Sequence, residues 1–341
     1  MQKTHLITGV TGMVGSHLLD FLHENTEDNI VGICRWRSPL SNITNYLQEQ
    51  NNGNSRLNLE YADLNDMSSL NRVITKYKPD YIYHLAAQSF PQTSFYSPID
   101  TLTTNIIGTA NLLEVIKSSI SDNYSPKVHV CSSSEVFGRI PQDRIPIVED
   151  ELFHPASPYA ISKAGTDLLG RYYGEAYNIQ TVTTRMFTHT GPRRGDVFAE
   201  STFAKQIALI EANKIDPIVK VGNLNSLRTF ADVRDAVRAY YVLLQSDFQA
   251  GSYYNIGGNY TCTVGDMLNK LISFSSKKDL IKVEIDQTRI RPIDADLQVP
   301  DLRKFKKDTG WEPVYTFEET MYDLLNYWRE RIQNPENLLV R

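Results

Sequence analysis

The stretch Thr4-His5-Leu6-Ile7-Thr8-Gly9-Val10-Thr11-Gly12-Met13-Val14-Gly15 decides the fold. Its first five residues are β-rich with Leu6 and Ile7 among them, as suits a strand buried on both faces. Three glycines follow with two residues between each pair, and a helix-length segment, 13–24, begins inside the triplet. Glycine lets the backbone turn tightly and approach a pyrophosphate, which the N-terminus of the following helix attracts. The spacing is GxxGxxG rather than GxGxxG. Alone, such a triplet marks a tight strand-to-helix turn. Between a first strand and a first helix it points to a dinucleotide site.

Working outward, short β-rich runs at 4–8, 29–34, 57–61, 81–85, 127–131 and 181–186 alternate with helical stretches at 13–24, 68–77, 103–118 and 157–177. That alternation predicts an α/β protein with a Rossmann-like, doubly wound parallel sheet. After Phe187 the pattern loosens: a helix over 203–213, short strands near Val219 and over 281–285, and a closing helix over 316–332. A run over 253–256 is expected to rejoin the sheet. The expected division is a dinucleotide-binding domain over 1–187, with a return segment near 222–257, and a smaller substrate-binding lobe over 188–221 and 258–341.

Composition narrows the function classes. The 341 residues are 41% hydrophobic and 22% charged, ordinary values for a globular protein. Thirty-five basic against 40 acidic residues leave a net charge of −5, which argues against a nonspecific nucleic-acid binder. No apolar run approaches the roughly 18 residues of a membrane span, and the N-terminus lacks a secretory pattern. The three cysteines, Cys34, Cys131 and Cys262, form no disulfide framework and fit a reducing cytoplasm. The seven histidines show no metal-ligand spacing, so no catalytic metal is expected. His189 is open between lining a cleft and packing in the core.

The second strand ends in Cys34-Arg35-Trp36-Arg37. An NAD site usually places a carboxylate there for the ribose 2′-hydroxyl. Two arginines instead favour NADP, since a guanidinium meets a 2′-phosphate bidentately; NAD is the weaker expectation. Asp63 is placed to accept from an adenine amino group, and the small residues Ala86 and Ala87 let a cofactor lie on the backbone.

Tyr159-Ala-Ile-Ser-Lys163 opens a helix after Pro158 and puts a phenol and an ammonium one turn apart on one face. A nearby cation favours phenolate and predicts a lowered phenol pKa, suiting Tyr159 to act as general base for a hydroxyl. Ser132-Ser133-Ser134-Glu135 follows the fifth strand at the carboxyl edge, where α/β ligands bind. Its hydroxyls and carboxylate suit a second proton transfer, although such a run also serves as a helix cap or turn.

Together, the glycine triplet, the Ser…Tyr-x-x-x-Lys set and Asn105-Ile-Ile-Gly108-Thr109 resemble the extended short-chain dehydrogenase/reductase family over essentially the whole chain. Within it the sequence looks most like the GDP-mannose 4,6-dehydratases. Ser132-Ser-Ser-Glu135-Val-Phe-Gly138, Gly191-Pro-Arg-Arg-Gly195 and Arg291-Pro-Ile-Asp294-Ala-Asp296, continuing to Asp301 and Gly310-Trp311, carry this narrower match. Ser133 departs from the usual Thr, Thr188 from the usual Asn, and Thr229 stands where Arg-Asp-Phe is common. Val219 through Asp235 also resembles the GDP-4-keto-6-deoxymannose reductases; Arg193-Arg194 favours the dehydratases.

The resemblance implies a lyase acting on GDP-mannose or a GDP-manno-heptose, with a 4-keto reductase or dehydrogenase as the alternative and a noncatalytic NADP-binding protein as a third reading. It implies Ser133, Ser134, Glu135, Tyr159 and Lys163 as catalytic. Cofactor contacts fall on Gly9, Gly12, Met13, Val14, Gly15, Arg35, Arg37, Asp63, Leu64, Leu85, Ala86, Ala87, Tyr159 and Lys163. Substrate contacts fall on Ser89, Thr188, Arg193, Arg228, Arg291 and Asp294. Surplus apolar residues on 103–118 and 157–177 predict a homodimer through these helices. The loop 35–38, which in the family reaches a neighbouring subunit, adds a homotetramer.

Overall fold

The computed structural model describes residues 2–51, 55–290 and 296–334. Seven parallel strands form the central sheet: β1 (Thr4–Thr8), β2 (Asn29–Cys34), β3 (Leu57–Tyr61), β4 (Tyr81–His84), β5 (Lys127–Cys131), β6 (Thr181–Met186) and, after an excursion into the second lobe, a strand over Ser252–Ile256. Their spatial order, with that last strand written first, runs to β6, β5, β4, β1, β2 and β3. The order reverses between β1 and β4, which opens a crevice at their carboxyl ends.

Two helical layers cover the sheet. On one face lie α1 (Met13–Asn25) and a helix over Val233–Gln245, joined through Leu18, Leu19, Leu22, Tyr240, Leu243 and Leu244, all fully buried. That second helix is absent from the sequence expectation, although its apolar residues recur at helical spacing and Asp232 caps it by accepting from the Arg234 amide. After α1 come α2 (Thr44–Asn51) and α3 (Met67–Tyr77); α4 (Pro91–Tyr96) and α5 (Pro98–Leu102) follow β4. The opposite face is covered by α3, α6 (Gly108–Ser119) and α7 (Pro158–Tyr177), through Val73, Ile74, Leu112, Ile116 and Tyr173. The stretch expected as one helix over 103–118 is a π-helical turn, Thr103–Ile107, leading into α6.

The second lobe holds β7 (His189–Thr190), α8 (Ala199–Glu211), β8 (Ile218–Val221) and β9 (Leu227–Asp232), with α9 the Val233–Gln245 helix and β10 the Ser252–Ile256 strand already described. Then follow β11 (Tyr260–Thr263), α10 (Val264–Ser273), β12 (Lys282–Ile285), β13 (Leu297–Gln298), α11 (Arg303–Thr309) and α12 (Phe317–Gln333). A separate core of Phe203, Ile207, Met267, Leu271, Met321 and Leu324 joins α8, α10 and α12. β10 pairs parallel with β6 from Ser252↔Val182 to Ile256↔Met186, so the chain completes its first sheet only after starting its second lobe. Among the described residues, no helix is long and apolar enough to cross a membrane.

Candidate active site

A cleft of about 1220 Å³ runs along the carboxyl edge of the sheet and beneath the second lobe. At one end, Gly9 has φ 73°, and a Cβ there would lie 2.9 Å from Ala86 Cα. A Cβ on Gly15 would lie 2.3 Å from Gly9 O, so α1 starts where only glycine lets it meet the preceding turn. No side chain caps α1. Gly12 to Gly15 border the cleft; the Gly12 amide donates to Gly9 O at 3.0 Å, which leaves the first-turn amides of Met13, Val14 and Gly15 to an anion. These features fit a dinucleotide pyrophosphate.

Met13, Val14, Arg35, Asp63, Leu64, Leu85, Ala86 and Ala87 border this glycine end. Arg37 does not border the cleft and is exposed; of the two expected arginines the structure brings only Arg35 to the site. The Asp63 carboxylate accepts from the Asn65 amide at 2.9 Å. Thr8 Oγ1 accepts from the amides of Leu85 and Ala86, both at 3.0 Å, and reaches His84 Nδ1 at 3.0 Å. Burial drives the His84 pKa down to about 3, so the ring is neutral.

At the other end, α7 and the carboxyl end of β5 are stitched together. Ser132 Oγ donates to Lys163 O at 3.1 Å, and Lys163 Nζ donates to Cys131 O at 2.7 Å. Asn105 bridges the two ends: its side chain accepts from Gln88 N at 2.8 Å and donates to Gln88 O at 2.9 Å and Ser162 Oγ at 2.8 Å. Ser133, Ser134, Glu135, Tyr159 and Lys163 all border the cleft, as do Ser89, Thr188 and His189. Ser133 Oγ accepts from the Glu135 amide at 3.2 Å and so caps the short turn Ser134–Phe137; the capping reading and the catalytic one fall on the same residue.

One expectation is reversed. Burial pushes the Tyr159 phenol well above its ordinary range; a hydrogen bond from Ser133 and the charge of Arg194 offset part of this, while Glu135 adds to it. Lys163, its own pKa lowered by burial, is directed at the Cys131 carbonyl. The cation acting on the phenol here is Arg194, which the sequence reading left out of the site residues.

Arg194 Nε bonds Glu200 at 3.0 Å, and its guanidinium lies 3.4 Å from the Phe198 ring centroid. Beside it His189 is kept neutral, its pKa lowered to about 4 by burial and then by Arg194. Arg228 Nη1 stands 3.6 Å from Glu135 Oε1. Arg193, expected on a phosphate, is instead held 2.6 Å from Asp20 on α1. Arg291 and Asp294 lie outside the described residues.

Comparisons with known proteins agree with this architecture. A family model described as GDP-mannose 4,6 dehydratase matches residues 6–324. GDP-mannose 4,6 dehydratase 1 of Arabidopsis thaliana is 32% identical over 93% of this chain and 87% of its own length. dTDP-glucose 4,6-dehydratase of Salmonella typhimurium is 29% identical over 98% and 94%. Among solved structures, RMD from Pseudomonas aeruginosa complexed with NADPH superposes with a TM-score of 0.79 at 26% identity, covering 97% of this chain and all of that one. A glycine-lined dinucleotide cleft, a serine–glutamate turn facing a Tyr-x-x-x-Lys helix, and a family match over nearly the whole length lead to one statement: the chain belongs to the GDP-mannose 4,6-dehydratase family of extended short-chain dehydrogenase/reductase enzymes.

Proposed function

We propose that the chain is an NADP-dependent 4,6-dehydratase that converts GDP-mannose or a GDP-manno-heptose to the 4-keto-6-deoxy sugar nucleotide. The observation that carries this reading is the convergence of Ser133, Glu135, Tyr159 and Lys163 on a cleft continuous with the glycine end. NADP is supported by Arg35 on the cleft and by the lack of a carboxylate directly after β2. The free thiols Cys34, Cys131 and Cys262 support a reducing, cytoplasmic setting.

Bound at this cleft, NADP supplies a hydride acceptor that later returns the hydride, so the net change is loss of water. Tyr159 would take the proton of the C4 hydroxyl, whose oxygen Ser133 would hold; because burial raises the phenol, this role requires the positive charge of the oxidised nicotinamide beside it. Oxidation at C4 acidifies the C5–H, and Glu135 removes that proton. Glu135, with Ser134 beside it, then protonates the departing C6 hydroxyl, and as C6 is reduced C5 takes back one proton, which balances the proton Tyr159 removed from the C4 hydroxyl. Lys163 holds the nicotinamide ribose. Arg228 and Arg291 are the candidates for the nucleotide phosphates, where a guanidinium matches the oxygens better than an ammonium.

Incubating purified protein with GDP-mannose or its heptose analogue, without added cofactor, tests the reading by product mass. Loss of water supports it. A requirement for stoichiometric NADPH replaces it with a keto reductase, and no turnover of any nucleotide sugar leaves a regulatory NADP-binding protein.

The same reading includes a homodimer. Ile107, Ile161, Leu168 and Tyr172 are exposed together on α7 and the turn beside it, whereas Leu112, Leu113, Val115, Ile116 and Tyr173 are spent on the sheet. A two-fold pairing of these helices would cover that face and brace the helix carrying Tyr159 and Lys163. The exposed Trp36 beside Arg35 supports a further contact and a tetramer. Sedimentation at twice or four times the monomer mass is expected; a concentration-independent monomer removes the assembly.

A further inference from the structure

The loop 191–198 leaves β7 for α8 and so crosses from the sheet to the second lobe. It reaches back to α1 in two places. His17 Nε2 lies 3.0 Å from Pro192 O, and Arg193 Nη1 lies 2.6 Å from Asp20 Oδ2. The other oxygen of Asp20 accepts from the Tyr46 hydroxyl at 2.7 Å, so both carboxylate oxygens are committed. Burial lowers the His17 pKa to about 4, with Arg193 adding to the effect, so a neutral imidazole donates to the Pro192 carbonyl.

The backbone supplies an independent observation. Arg193 has φ 67°, in the left-handed region that a non-glycine residue enters at some cost and keeps only where its surroundings hold it. The next residue is held by a different set of partners. Arg194 stacks on Phe198, bonds Glu200, and its carbonyl accepts from Ser201 Oγ at 2.6 Å. Two successive arginines are thus divided between two bodies: Arg193 goes to the helix that begins at the glycine loop, and Arg194 to the far wall of the cleft.

We infer that Arg193 is a positioning residue, not a phosphate ligand: the Asp20–Arg193 clasp ties loop 191–198, and with it Arg194, to the helix that carries the glycine end. The inference rests on the reading of the cleft as a joint cofactor and nucleotide-sugar site, and it extends that reading to how the two halves keep register. Asp20 and Arg193 are each about a quarter exposed, 23% and 25%, sheltered enough for the pair to hold; Arg193 borders the cleft, and Asp20 draws its guanidinium toward α1 from outside it.

The test uses Asp20→Asn, Arg193→Gly, their double variant and Arg193→Lys. A clasp predicts that Asp20→Asn and Arg193→Gly each raise the KM for the GDP-sugar about tenfold, and that the double variant is no worse than either, as for neighbours sharing one interaction. Glycine accepts the left-handed backbone, so Arg193→Gly removes the contact without adding strain. Arg193→Lys keeps an ion pair and is expected to recover most of the KM. If Arg193 instead bound the substrate phosphate, Asp20→Asn would leave KM unchanged, and that result overturns the inference.

A second readout needs no substrate. Amide exchange over 191–198 is expected to quicken about tenfold in Asp20→Asn with its cofactor affinity retained, and unchanged exchange overturns the clasp. Should the native protein turn over no nucleotide sugar, the functional reading fails while the exchange result still decides the clasp.

Discussion

The two ends of the cleft are built by different means. The glycine end is one contiguous run, Gly9 to Gly15, whose function resides in backbone: a left-handed Gly9, an uncapped helix start, and no room for a Cβ on Gly15. The tyrosine end is assembled from distant pieces: Ser133 and Glu135 after β5, Tyr159 and Lys163 on α7, Arg194 and Glu200 around the start of α8, and Arg228 on β9. A backbone site is local and unforgiving of any side chain. A side-chain site is spread over the chain and sensitive to which group stands at each position. The contrast predicts that variants at the glycine end act on binding and folding, and variants at the tyrosine end on turnover.

The largest effect should come from Glu135→Gln, which keeps the size and removes the base. Dehydration is expected to fall about 10²–10⁴-fold, while proton removal and hydride transfer at C4 continue. Product mass, with label exchange at C4, reads both. Near-native dehydration would falsify the role given to Glu135 and dissolve the contrast at its chemical end.

Arg35→Ala comes next, because it tests the one side chain on which the glycine end is proposed to depend. A charge-assisted bond contributes about 1.5–3 kcal/mol, so NADP affinity should fall by roughly one to two powers of ten with NAD affinity unchanged. Arg37→Ala should change neither, since Arg37 stands off the cleft. Titration calorimetry with both cofactors checks this; equal weakening of NADP and NAD removes the assignment of the 2′-phosphate to Arg35.

Gly15→Ala sharpens the backbone side of the comparison. With its Cβ 2.3 Å from Gly9 O, α1 must shift. Overpacking of this kind costs about 1–3 kcal/mol. Both melting temperature and cofactor affinity should drop, with kcat at saturating cofactor much less affected. An unchanged melting temperature would show that the turn has slack.

A separate effect, on stability alone, concerns acid. His84 and His129 are fully buried, each with a pKa lowered to about 3 by burial. Unfolded, they would bind protons near pH 6.5. The unfolded state therefore takes up more protons as pH falls, and stability declines from about pH 6.5 downward, by up to ~1.4 kcal/mol per pH unit for each ring. Denaturant titrations at pH 7 and pH 5 measure it. His84→Gln should reduce the slope by about one ring's worth, and a slope indifferent to that change argues that His84 is not neutral in the fold.

The same contrast explains what could be read in the chain before its fold was seen. The first six strands were legible because each is a short β-rich run bounded by turns; β1, β2, β3, β5 and β6 fall on the expected residues, and β4 ends one residue early, at His84. The glycine end was legible because its residues are adjacent in sequence. Tyr159 and Lys163 could be paired because helical spacing puts i and i+4 on one face. Which atom Lys163 would meet could not be read, since the Cys131 carbonyl lies 32 residues away in the chain. Arg194 and Glu200 were hidden likewise: an arginine before a glycine reads as a solvated loop charge until Phe198 and Glu200 close around it. The helix α9 was written plainly in the spacing of Val233, Val237, Tyr240 and Leu244, and was missed among the short, irregular segments around it.

The pairing of β10 with β6 has a consequence for how the protein is made. When residues through Met186 have left the ribosome, β6 still presents a bare row of amides and carbonyls, and its partner emerges only with Ser252–Ile256. Synthesis at about 5–20 residues per second leaves that edge uncovered for several seconds. An unpaired strand edge is a template for other chains. A nascent chain stalled before residue 252 is therefore the form of this protein that most needs a chaperone, and a truncation at the end of β6 removes a strand from the sheet rather than trimming a lobe from it.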